Sequence, residues 1–509
     1  MKSRYQHIIA GLILTVALSA TSCSSFLEEQ DPSNLGPESY YTLPEHATAA
    51  IAAAYAQTRF IGGGAGIFSQ NYSMLEMVTG TASTETGQNT DLNNLQSLVY
   101  NGDNVHLNNW WNGLYSVIAQ TNLVLEKVPG INPMDEAEKK KILGEAQFLR
   151  AWSYFYLVRL WGDVPLLTAP VNATSPELKP SRAKTEEVYS QIVADLTAAE
   201  ASGLPMADNS GRASLGAVKT LLAKVYLTMA GNPLNLGQQY YKLAADKANE
   251  VISSGAYFLF PSYSDLHSLA QENKGEHIFE IQYLASVADN NGLQSVLLPN
   301  FKDVSAFSTE VGSTVPTVSF YNSFEAGDKR VQEQQFFYTK YYDGGSGPLK
   351  DLNKPYIYKL FDIPAHGTLG SPGSARSDLN IPNLLYSDLL LMYAEAQNEA
   401  DGAPNNIAYK ALNDIRARAS LPALSGLSQT AFREAVWRER WHELCYNNLT
   451  WFDMIRLRKV YNESTNNFDD FVGHAFSYGP VLAEKHLLFP LPTNEMKNNP
   501  NLTPQNPGY

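Results

Sequence analysis

The sequence is poor in the residues that staple exported proteins and in those that enzymes use for chemistry. Two cysteines, Cys23 and Cys445, occur in 509 residues, which excludes a disulfide-dense scaffold. Nine histidines are scattered without ligand spacing. His442-Glu443 opens like a zinc-protease helix, but Tyr446 stands where the second His belongs, and one His cannot hold a catalytic zinc. There is no Cys-x-x-Cys and no Gly-x-Ser-x-Gly. Gly62-Gly63-Gly64-Ala65-Gly66 is not followed by Gly-Lys-Ser/Thr, so it is no phosphate loop. No EF-hand spacing is present, and neither a metal nor a cofactor is expected. Positive charge is also short. The 37 Lys and Arg face 51 Asp and Glu, a net charge of −14, which disfavours a nucleic-acid partner. The apolar run Ile8–Leu18 is far shorter than the ~20 residues a spanning helix needs.

That run, behind Lys2 and Arg4 and ahead of Ser19, Ala20, Thr21 and Ser22, predicts a secretory signal over residues 1–22. A small-residue site directly before Cys23 resembles a bacterial lipobox, with Cys23 as the lipidated residue. Ala20 stands where such sites usually carry Leu, and Ala20-x-Ser22 also suits the ordinary signal peptidase. Residues 23–40, with Glu28, Glu29, Asp31, Pro32 and Pro37, predict a polar tether. With Cys23 acylated, no internal disulfide is possible. Cys445 falls with Trp437, Trp441 and Leu444 on an apolar helical face and is expected to be a buried thiol.

What is abundant is helical periodicity and aromatic rings: Tyr 29, Phe 21 and Trp 7. Apolar steps of three and four predict helices over 45–58, 110–128, 185–201, 213–230, 236–254, 386–400 and 405–419. A last long helix is predicted from Thr430 to about Val460. His277–Tyr283 alternates like a short strand. Residues 79–109 and 284–380 are rich in Gly, Ser, Asn, Pro and Tyr and read as long loops, which in compact proteins tend to be functional. The fold class expected is mainly α, a tetratricopeptide-like helical scaffold with long loops and a few short strands. It divides into an N-terminal region 41–270 and a C-terminal region 271–509.

One stretch organises the rest. Ile142, Ala146, Leu149, Trp152, Tyr156 and Leu160 line one helical face, while Phe148, Phe155 and Val158 lie off it. A helix apolar over so much of its girth is buried on several sides. Asn132-Pro133 is expected to begin it, and Gly162 with Pro165 to end it. The run Glu145, Phe148-Leu149-Arg150-Ala151, Leu157-Val158-Arg159-Leu160, Gly162-Asp163-Val164-Pro165-Leu166 resembles the signature helix of the SusD/RagB family. Tyr386–Ala396, Ala411–Ala419, Arg438-Glu439-Arg440, Trp451-Phe452-Asp453, Phe489–Pro492 and Asn506–Tyr509 resemble further family blocks. The resemblance implies a SusD-like α-α superhelix in a surface-exposed, lipid-anchored outer-membrane protein. Such a protein captures an oligosaccharide for a partner SusC-like TonB-dependent barrel transporter, and is not an enzyme.

The acids Glu145, Asp388, Glu395, Glu439, Glu443 and Asp453 stand near Arg150, Arg159, Arg416, Arg438, Arg440 and Arg456 in sequence. They read as ion-paired scaffolding and not as an acid–base pair. A sugar site needs flat rings and fixed polar groups, and the two loop regions supply both. The candidates are Tyr72, Asn89, Asp91, Tyr100, His106 and Trp110 in the first, taken as Tyr72 to Trp110, and Phe301, Phe307, Tyr338, Tyr341 and Tyr342 in the second, taken as Phe301 to Tyr342. Tyr321 also belongs to the second. A peptide ligand, or a helical adaptor of the transporter with no ligand of its own, are the alternatives.

Overall fold

In the computed structural model of the chain, the described residues are 40–64, 70–87, 89–172, 174–175, 178–284, 291–299, 312–342, 348–363 and 377–509. The signal, the tether and Cys23 lie outside them. A stack of helices is formed by α1 (Pro44–Gln57), α2 (Val105–Lys127), α3 (Glu136–Trp161), α4 (Thr185–Glu200), α5 (Leu215–Ala230), α6 (Gln238–Ser254), α7 (Tyr386–Asp401), α8 (Asn406–Arg418), α9 (Gln429–Glu443) and α10 (Thr450–Leu457). From α1 to α8 each helix packs on the next, and α9 packs on α7. α6 and α7 are neighbours although residues 255–385 intervene, so that segment is an insertion hung on a continuous stack.

α3 is the axis of this arrangement. Every residue from Phe148 to Trp161 is buried. Burial of each large side chain among them, such as Leu149, Trp152 and Phe155, stabilises the fold by about 1.5–3 kcal/mol. The helix starts later than Asn132-Pro133 suggests. Asp135 is the cap, its carboxylate accepting the Glu138 N–H at 2.9 Å, and its charge favours the positive end of the helix. Gly162 ends it at φ +72°. Downstream, Ala244, Ala245 and Ala248 of α6 are buried, and these small residues suit close packing against α5.

Strands are few and pair only two by two among the described residues. β1 (His277–Ile281) lies antiparallel to β4 (Ile381–Leu385), and β2 (Phe337–Tyr342) to β3 (Leu349–Ile357). β5 (Lys459–Asn462) and β6 (Asn467–Asp470) form a hairpin.

Two further expectations about local structure are corrected. The last long helix is two: α9, capped by Ser428 and not Thr430, and α10, separated by a turn in which Tyr446 and Asn448 take φ +61° and +57°. Buried polar side chains hold that turn. Glu76 accepts the Asn448 N–H at 2.6 Å, and the Lys359 ammonium donates to the carbonyls of Glu443 and Cys445. The region 79–109 is not one loop. It contains a short helix, Thr90–Gln96, capped by Asn89, and the first turn of α2, capped by Asn104. Its Asn-rich composition encodes caps, because an Asn side chain accepts the free N–H groups of a first turn.

The named acids are ion-paired. Glu145 meets Arg212, Asp388 meets Lys224 and Arg440, and Glu395 meets Arg456. Asp453 joins Arg440 and Arg456. Arg330, with no exposed side-chain surface, sits among Asp328, Glu439 and Glu443. Of the named arginines, Arg438 instead donates to the Asn466 carbonyl, and Arg159 stacks between rings. Cys445 is buried as expected, but in the turn after α9 and not on a helical face.

Candidate ligand-binding face

The two loop regions fold into one unit. The hydroxyls of Ser73 and Thr314, 241 positions apart in the chain, meet at 2.6 Å. Ala82 and Ser83 pair antiparallel with Pro316 and Val315. The Glu85 N–H donates to the Gly312 carbonyl and the Thr317 N–H to the Thr81 carbonyl, both at 2.9 Å. Main-chain pairing of this kind fixes the loops relative to each other whatever their side chains do.

The insertion also carries its own small core, separate from the main one. Tyr338, Tyr341, Tyr356, Tyr358 and Phe361 gather there with Leu298 and Leu352. Tyr358 stacks on Phe361 with centroids 5.1 Å apart. The Tyr356 hydroxyl donates to Glu85 at 2.9 Å, and Lys354 pairs with the same carboxylate. Burial pushes the Tyr356 phenol well above its ordinary range and pulls the Lys354 ammonium down. This cluster ties β3 to the first loop region. No spacing in the sequence announces it, since Glu85 and Tyr356 are far apart in the chain.

The aromatic candidates divide by burial. Trp110 is fully buried, and its indole N–H donates to the Asn71 carbonyl at 2.8 Å. Tyr72 is buried with its hydroxyl on the Tyr446 carbonyl. Tyr100 packs against Phe489 and Tyr509 of the C-terminal segment. His106 is fully buried, and burial pulls its imidazole down to about 4. The Tyr338 hydroxyl donates to the Leu297 carbonyl at 3.0 Å, and Tyr341 is fully buried. These six form cores and offer no open stacking surface, because a polar loop spends its rings on holding itself together. Asn89 and Asp91 are half-buried. Asn89 caps the short helix, and the Asp91 carbonyl accepts from Asn104. Tyr342 pairs through its main chain with Leu349. Phe301 and Phe307 lie outside the described residues. Tyr321 is a half-exposed ring on this face, edge-on to Phe337 with its hydroxyl on the Val331 carbonyl.

The helical stack with its inserted, loop-built face is shared with known proteins. The model of the SusD family matches residues 317–509, and that of the group described as starch-binding and associating with the outer membrane matches residues 25–227. The crystal structure of a SusD superfamily protein from Parabacteroides distasonis is 40% identical over 91% of this chain and 99% of that one, with a TM-score of 0.87. A SusD-like protein of Formosa agariphila is 26% identical over 98% of each chain. The surface glycan-binding protein A of Bacteroides thetaiotaomicron, solved in complex with laminarihexaose, shares the fold at 20% identity and a TM-score of 0.73, over 91% of this chain and 100% of that one. The chain belongs to the SusD/RagB family.

Proposed function

We propose that this protein is a surface glycan-binding lipoprotein of the outer membrane. It captures an oligosaccharide on the face built from residues 73–109 and 312–357 and passes it to a SusC-like TonB-dependent transporter. No covalent step is involved. The observation that carries the reading is the main-chain union of the two loop regions, which gives a preformed face on a rigid helical stack; preorganisation of that kind favours affinity. Family membership supports it, as do relatives whose names state starch and glycan binding. The ion pairing of the helical acids supports a scaffold in preference to an acid–base site. No helix among the described residues is long and apolar enough to cross a membrane, which is compatible with anchoring through a lipid on Cys23. Asn89, Asp91 and Tyr321 are the proposed contacts on the described part of the face.

Calorimetric titration of residues 24–509 with a panel of neutral oligosaccharides, assaying the same samples for cleavage, tests this. The expected result is saturable binding without cleavage, weakened at least tenfold by Tyr321→Ala. Cleavage of any glycan, or binding of peptides alone, refutes it.

A further inference from the structure

We propose that a cavity between the end of α3 and the C-terminal segment 484–508 is a second ligand site, which takes a small acidic sugar by its carboxylate or sulfate group. The cavity holds about 910 Å³, within the ~300–1,000 Å³ usual for small-molecule sites. It is remote in sequence from the loop face, and no residue of that face lines it.

Its charge is opposite to that of the whole chain. Arg159, Arg182, Lys184, Arg456, Arg458 and Lys485 line it, against Asp163 and Glu484, in a protein of net charge −14. Most of these cations are already engaged. Arg456 pairs with Glu395 and Asp453, and Lys184 with Asp163. Arg182 donates to the carbonyls of Asp163 and Pro504 and to Asn506. Lys485 lies over the Tyr509 ring. Arg159 and Arg458 keep donors to spare.

Arg159 is only 9% exposed. Its guanidinium lies 3.7 Å from the Phe155 ring centroid and 3.6 Å from that of Phe452. Its Nε donates to the Phe155 carbonyl at 2.8 Å. Both flat faces and one N–H are thus used, and the two Nη groups have neither an ion pair nor a hydrogen bond with a described residue. Burial draws this guanidinium down to about 10, so it stays charged at neutral pH. A last-turn arginine also complements the helix dipole, but that role needs no aromatic clamp and leaves the Nη edge unexplained. The edge is the part of a guanidinium that grips an oxyanion with two parallel hydrogen bonds. Arg458, held at φ +55° where α10 ends, has its Nη1 buried without a partner. Arg458 lines the same cavity as Arg159, and its guanidinium has no ion pair or hydrogen bond with a described residue, so it adds a second uncommitted cation there.

The protein's overall negative field repels polyanions, which favours a short oligosaccharide of few charges. Phe452, Leu488, Pro504 and Pro507 on the walls suit the C–H faces of a sugar ring. The sugar body rests on the proposed function above; the oxyanion site does not.

The test is titration of residues 24–509 with trigalacturonic acid, with neutral maltotriose and laminaritriose, and with sodium sulfate as competitor, at constant ionic strength. Arg159→Met and Arg458→Met are compared, each checked for folding by circular dichroism. The expected result is saturable trigalacturonate binding, competed by sulfate and lost at least tenfold in both variants, while any neutral-glycan binding is unchanged. If Arg159→Met does not fold, Arg458→Met decides. Absence of binding by trigalacturonate, or equal binding by wild type and Arg458→Met, overturns the proposal. So does sulfate binding alone, or binding of a peptide carboxylate in place of the acidic sugar. Acid binding without neutral-glycan binding supports this site while counting against the loop-face reading.

Discussion

Glu76 offers a sharp test of how the loop face is held to the stack. Its carboxyl is 1% exposed, on the short helix Ser73–Met77. One oxygen accepts the Asn448 N–H, and the nearby Lys359 is committed to the carbonyls of Glu443 and Cys445 and to Asn447. Burial dominates, and it pushes the carboxyl from 4.5 up to about 7, against the opposing pull of the Asn448 N–H and Lys359. The folded state therefore holds a proton that the unfolded chain has released between those values. Stability falls as pH rises through that window and is flat above it. Titrating near 7 in place of 4.5 corresponds to about 3 kcal/mol. Glu76→Gln keeps the shape and the acceptor but does not titrate. The stability of the variant relative to wild type should therefore rise by about 3 kcal/mol between pH 4.5 and 7.5. Urea unfolding followed by tryptophan fluorescence, across a pH series, reads this difference. Glu272 and Glu463, which also titrate near 7, cancel in the comparison. A difference that stays flat within about 0.5 kcal/mol across the series refutes the reasoning.

Other predictions follow from the same packing. Arg330→Met removes the shared partner of Asp328, Glu439 and Glu443 and should destabilise by about 3–5 kcal/mol at pH 7, measured by denaturant unfolding. A loss below about 1 kcal/mol would mean the acids are relieved another way. In residues 24–509 Cys445 is the only thiol; burial pushes it up to about 12, so a thiol reagent should label it after denaturation and not before. Gly113→Ala would drive a Cβ into the Phe60 ring, and should lower thermal stability by about 1–3 kcal/mol through overpacking beside α2. An unchanged melting temperature would show that Phe60 can yield.

The sequence by itself determined the helical stack and the family. Periodicity in α3 to α8 is local: steps of three and four put one face inward wherever the helix sits, and the blocks around Arg150, Tyr393 and Trp451 carry the resemblance. Caps were legible as residue types but not as positions. Asn132 and Asp135 both have a side chain that can cap α3, and only the path of the turn between them selects Asp135. Tertiary structure alone decided the rest. It broke the α9–α10 run, because Glu76 and Lys359 arrive from elsewhere in the chain to hold the turn. It put Tyr72, Tyr100, Trp110, Tyr338 and Tyr341 into cores, because a ring in a polar loop looks the same in sequence whether it faces a ligand or its own scaffold. It left Arg159 without a carboxylate while Arg150, earlier on the same helix, found Asp195. Pairing is a property of distance in space, and spacing along the chain does not encode it.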